Sequence, residues 1–135
     1  MTKLARYLFG VEQAKTILTR TIEGERWYMA LDICNLLGMS NHSNAVHGKR
    51  DDNLVLDDNE WQRKKEHTGN ANRQVLLVNT TGMLKIIFQG KTTRAKEVQE
   101  RTKKTPADLR TTELAEWPTW ISDSNSEPVR VVDAA

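Results

Sequence analysis

The stretch Ala30-Leu31-Asp32-Ile33-Cys34-Asn35-Leu36-Leu37-Gly38-Met39-Ser40-Asn41-His42-Ser43-Asn44-Ala45-Val46-His47 leaves this chain few ways to fold. Leu31, Cys34, Leu36 and Leu37 recur at helical steps, which predicts a first helix with one apolar stripe. Asp32 falls in its first turn, where a carboxylate suits the positive end of the helix dipole. Gly38 stops it, because glycine takes up the left-handed terminal conformation at little cost. Ser40 is a good N-cap for a second helix whose inward residues are Ala45 and Val46, and Gly48 ends that helix in turn. Two short helices about a glycine corner, the second polar on its outside, make a helix-turn-helix-like unit. The second helix of such a unit can enter a major groove.

The second helix can be sorted by angle, at about 100° per residue. With the core direction midway between Ala45 and Val46, the residues Ser43, Asn44 and His47 point outward. His42 points inward or along the seam and reads as a partly buried structural histidine. Ser43, Asn44 and His47 are therefore the candidates for base contact. Lys49 and Arg50 follow directly and suit phosphates.

Charge supports the same direction. Residues 1–104 carry a net +6 and residues 105–135 a net −4, which together give the +2 of the whole 135-residue chain. A basic body with an acidic tail suits a nucleic acid partner, with the tail either competing for the basic surface or meeting a protein. The densest positive cluster is Arg63-Lys64-Lys65, within a polar, turn-rich stretch over 61–73. That stretch reads as a β-hairpin or long loop that could lie along a phosphate backbone.

Around these features the chain alternates between strand and helix signals. Residues 1–15 read as a first strand or a docking arm. Thr16–Ile22 and Arg26–Met29 flank a turn at Glu23-Gly24-Glu25 and form a hairpin, with Trp27 and Tyr28 packing on its two sides. Asn53–Leu56 is a short strand candidate, and Asp57–Glu60 caps a helical turn or forms an acidic loop. Gln74–Asn79 is a buried strand. Thr80 or Thr81 then opens a helix that presents Met83, Leu84, Ile87 and Phe88 inward and ends at Gly90. Thr92 or Thr93 opens another, reaching about Lys104, with Ala95, Val98 and Thr102 inward and Arg94, Glu97, Arg101 and Lys104 on an outer stripe. Pro106 stops it. Beyond it, Leu114, Trp117, Trp120 and Ile121 are expected to dock on the body or on a second copy. Val129–Val132 could be a last strand.

Several classes of function are excluded. No run of about 18 apolar residues exists, so no membrane span is expected. The N-terminus lacks the apolar stretch of a signal peptide. The single cysteine, Cys34, cannot form an internal disulfide and reads as a buried, inert thiol. No nucleophile motif sits near a histidine, and Cys34, His42 and His47 lack zinc spacing. The aspartates at 51, 52, 57 and 58 lack the pattern of a calcium loop. No enzyme activity, cofactor or metal is expected.

The residues now on the page resemble a known family. Glu25-Arg26-Trp27-Tyr28-Met29-Ala30-Leu31-Asp32-Ile33, Leu36-Leu37-Gly38-Met39-Ser40-Asn41, Val75-Leu76-Leu77-Val78-Asn79, Gly82-Met83-Leu84-Lys85-Ile86-Ile87-Phe88 and Ala95-Lys96 are similar in order and spacing to the Bro-N domain. That domain is the N-terminal module of baculovirus-repeated-ORF proteins and many phage antirepressors. The resemblance covers about 16–100. It implies an α+β fold, in which a β-hairpin leads to the helix pair, further short strands and two C-terminal helices. It divides the chain into a Bro-N-like domain over 1–104 and an acidic C-terminal tail over 105–135.

The function it implies is that of a phage or prophage DNA-binding regulator of the antirepressor type, working on duplex DNA in the cytoplasm of a bacterial host. Pairing as a homodimer would suit two half-sites. Ser43, Asn44 and His47 would face bases, while Lys49, Arg50, Arg63, Lys64 and Lys65 would neutralise phosphates. The chain lacks the serine near Gly90, the aromatic near Val98 and the tryptophan near Arg101 that are usual in the family. An acidic tail also stands where antirepressors commonly carry a second domain. An alternative is therefore a small phage inhibitor that binds a host or prophage protein, either a repressor or a defence component such as a CRISPR effector. Trp117 and Trp120 would be its interface residues.

Overall fold

The computed structural model describes residues 3–40, 42–47, 56–68, 71–114, 117–118 and 120–121. The fold is α+β. Helices α1 (Lys3–Phe9) and α2 (Val11–Ala14) lead into strands β1 (Thr19–Ile22) and β2 (Glu25–Met29). Helices α3 (Ala30–Leu37) and α4 (His42–His47) follow, then a 3-10 turn at Asp58–Glu60. Strands β3 (Trp61–Thr68) and β4 (Ala71–Asn79) precede helices α5 (Thr80–Gln89), α6 (Thr93–Lys103) and α7 (Ala107–Glu113). Gly48, all of the short strand read at Asn53–Leu56 except the buried Leu56, and the strand read at Val129–Val132 lie outside the described residues.

The sheet is antiparallel in the order β1-β2-β4-β3. β1 and β2 form the expected hairpin, and its turn places Glu23 and Gly24 at positive φ. β2 pairs with only the last three residues of β4, Leu77 to Asn79. The rest of the β3–β4 hairpin runs on past the sheet as a two-stranded arm. Such ribbons twist strongly. Here the twist brings β3, at one edge of the sheet, back to β1 at the other, where Arg20 meets Glu66.

Each side of the sheet carries its own apolar cluster, as expected of the neighbours Trp27 and Tyr28. Tyr28, fully buried, belongs to the main core with α1, α3, α4, α5 and α6. Trp27 packs with Val75 and Leu77 on the other face, flanked by Leu18, Ile22 and Met29.

Several expectations are corrected by this packing. Within residues 1–15, Lys3–Phe9 and Val11–Ala14 are helices rather than a strand, with Leu4, Ala5, Leu8 and Phe9 buried. They do dock: Arg94 and Arg101, on the stripe expected to face outward, donate to the Phe9 and Leu8 carbonyls at 3.1 and 3.3 Å. Those carbonyls are orphans of the α1 C-terminus, where cations are favoured. In α3 the buried stripe is Ala30, Ile33, Cys34 and Leu37, whereas Leu31 is 37% exposed. The cap of α5 is Asn79, whose side chain accepts from Gly82 N, and not either threonine. Gly90 ends α5 in an extended conformation, φ −70°, rather than a left-handed one. It is glycine for space, since a Cβ there would lie 2.5 Å from that of Ala95. The stretch read as an acidic tail over 105–135 opens with a helix, α7, directly after Pro106.

Cys34 is fully buried, and burial pushes its thiol up to about 12. In the folded protein it is therefore expected to resist a thiol reagent at about pH 8 and to react fully in denaturant. A thiol titration with and without denaturant checks this.

Candidate nucleic-acid interface

The helix pair begins without a loop. β2 ends at Met29, whose extended backbone forms the N-cap of α3. Asp32, in the first turn, accepts from Leu18 N at 2.8 Å and so ties α3 to the start of β1. Gly38 takes the left-handed conformation at φ 71°, and Met39 N returns to the Cys34 carbonyl at 2.9 Å. Thr92 fixes the corner from outside. Its hydroxyl donates to the Leu37 carbonyl and accepts from Ala95 N, joining the end of α3 to the start of α6.

In α4 both expected inward residues are buried, Ala45 at 2% and Val46 at 1% exposure. Gln89 donates to the Ala45 carbonyl at 2.7 Å, which supplies a partner for a helix-end carbonyl and seats α4 on α5. His42 is half-buried, as its seam position implies. Ser43, Asn44 and His47 lie on α4, and their side chains lie outside what is described, as do Lys49 and Arg50 altogether.

The basic cluster is part of the arm, and strand geometry divides it. Arg63 stands opposite Leu76, Lys64 opposite Val75 and Lys65 opposite Gln74. Side chains alternate along a strand, and directly opposed residues share a face. Leu76 packs toward the main core, whereas Val75 packs with Trp27 on the other side. Arg63 and Lys65 therefore share the α4 side of the arm, and Lys64 points away from it. All three are exposed. Arg63 also sits over the ring of Trp61, with 5.6 Å from its guanidinium carbon to the ring centroid.

An open groove of about 230 Å³ joins the two parts, lined by His42, Arg63, Gln74, Val75 and Leu76. A neighbouring groove adds Arg73, Met29 and Leu31. Arg73 and Gln74, which line this groove, were not marked by the sequence. The available signal was the hairpin pairing, which sets them opposite Glu66 and Lys65.

The arm's glutamate, Glu66, is engaged elsewhere. Arg20 grips it with two hydrogen bonds, Nη2 to Oε1 at 2.8 Å and Nε to Oε2 at 3.0 Å. Those bonds hold the Glu66 carboxyl below the usual carboxylate range, and the charges of Arg20 and Lys64 act in the same direction.

The tail residues pack on the body. Ile121 is 1% exposed within the main core. Trp120 meets Phe88 edge-on at 5.4 Å, and Arg110 lies 5.3 Å from the Trp117 ring centroid. Among the described residues, no group of three or more His, Cys, Asp or Glu could hold a metal ion. No helix there is long and apolar enough to cross a membrane.

No curated protein and no solved structure gives a significant match to this chain. The family model described as the BRO family, N-terminal domain, matches residues 15–105, which spans β1 to α6 and includes both the helix pair and the arm. That is well over half of the sequence, and the chain belongs to the BRO family through this N-terminal domain.

Proposed function

We propose that this protein is a phage or prophage regulator of the antirepressor type that grips duplex DNA with α4 and the β3–β4 arm, in the cytoplasm of a bacterial host. The BRO N-terminal domain is a DNA-binding family associated with antirepressor-like proteins of phages and viruses. The observation that carries the reading is the shared side of Arg63, Lys65 and α4, with His42 and Arg63 lining one groove between them. In this reading Ser43, Asn44 and His47 meet base edges. Lys49, Arg50, Arg63 and Lys65 meet phosphates, and Gln74, opposite Lys65, extends the contact along the same face of the arm. The protein-binding alternative gains little from Trp117 and Trp120, whose rings lie against Arg110 and Phe88 of the same chain.

Salt dependence tests it. With about four phosphates neutralised, the logarithm of affinity should fall with the logarithm of salt at a slope of about −3.6. Between about 50 and 200 mM salt that is a loss of roughly 150-fold. Fluorescence anisotropy on random and promoter duplexes reads the slope. A flat dependence, or no binding to either duplex, overturns the proposal.

A further inference from the structure

We propose that Arg20 and Glu66 form a clasp that holds the β3–β4 arm over the β1–β2 hairpin and thereby sets the direction in which Arg63 and Lys65 point. The inference rests on the DNA reading above for its purpose, though not for its geometry.

A two-stranded ribbon is marginal by itself in water, and this one leaves the sheet after only three pairs with β2. Beyond those pairs its pose depends on what it touches. Two contacts are available on the Trp27 side. The first is the small apolar cluster of Trp27, Val75 and Leu77 near the root of the arm. The second is the Arg20–Glu66 pair, further out, which joins the two outer strands of the sheet.

The pair is built for orientation. Its bonds are parallel and two-pronged, a geometry that fixes direction as well as distance. Arg20 also donates to its own Thr19 carbonyl at 2.8 Å, which restrains the guanidinium before Glu66 arrives. The Glu66 side chain is 10% exposed and that of Arg20 40%, so the contact is partly sheltered from salt. Arg20 and Glu66 are thus positioning residues.

A charge swap tests this. Arg20→Glu sets two carboxylates against each other, and Glu66→Arg sets two guanidinium groups against each other. Each single variant should speed amide hydrogen exchange across 61–66 and 73–76 by about tenfold, and the combined variant should return to within about twofold of the parent. Singles that exchange like the parent, or a swap that stays fast, overturn the clasp.

Duplex affinity is read in parallel. The clasp requires affinity to fall in Arg20→Glu and to recover in the swap, although the swap leaves a carboxylate at position 20. Affinity that falls in Arg20→Glu and stays low in the swap, with exchange unchanged throughout, marks Arg20 as a phosphate contact and overturns the clasp. A parent that binds no duplex while the exchange pattern holds removes the DNA reading and leaves the clasp standing.

Discussion

Lys85→Met should destabilise the protein by about 3–5 kcal/mol, the cost of leaving one partner of a buried ion pair alone. Lys85 lies in the middle of α5, and its ammonium donates to Glu60 at 2.8 Å. The two side chains are only 9% and 10% exposed. The same Glu60 oxygen accepts from Asp57 N at 2.8 Å and closes the capping box of the 3-10 turn. Methionine matches the lysine stem in volume, so the loss measures charge rather than a cavity. The variant therefore leaves the nearly buried Glu60 carboxylate without its ammonium partner. Lys85→Met combined with Glu60→Gln removes the stranded charge while keeping an acceptor for Asp57, and should recover at least half of the loss. Urea denaturation of the two variants decides the matter. A single-variant cost under about 1 kcal/mol would show the pair to be solvated and contradict its burial.

That pair also explains what could not be read from the sequence. α5 is buried at Thr80, at every position from Gly82 to Ile87 and at Gln89, so no polar face marks its surroundings. Periodicity gives Lys85 no role, because its partner comes from a turn 25 residues earlier. Gly82 is hidden for a similar reason. A Cβ there would lie 2.8 Å from the Glu60 carbonyl oxygen, a long-range contact with no local signal. In α1 the signal existed in Leu4, Ala5, Leu8 and Phe9, which fall on one helical stripe, but seven residues are too few to establish a period. The helix pair and the first hairpin were legible because Gly38, Gly24 and the alternation of strand residues are local devices, whereas 61–73 read equally as a hairpin or a long loop. The inward placement of Ala45 and Val46 followed from the same local reasoning. The basic cluster was legible as composition only. Whether Arg63, Lys64 and Lys65 act together depends on the stretch being a strand and on its register with β4.

Exchanging both Arg63 and Lys65 for glutamate should therefore weaken duplex binding by on the order of 100-fold at about 0.1 M salt and roughly halve the salt slope. Each phosphate contact at that salt contributes about 0.9 logarithmic units, or roughly eightfold. Reversal removes two contacts and sets two carboxylates against the same strand. The informative comparison is with single neutral variants, which leave no added repulsion. Arg63→Gln and Lys65→Gln should each cost roughly eightfold and lower the slope by about 0.9, whereas Lys64→Gln should cost less than about twofold. All three change the net charge equally, so a contact set by overall charge would treat them alike. Only a contact set by one face of the arm separates Lys64 from its neighbours. Equal losses at 63, 64 and 65, with thermal unfolding unchanged, would mean that the arm meets DNA along its edge or not in a fixed pose. The shared side with α4 would then have no bearing on recognition.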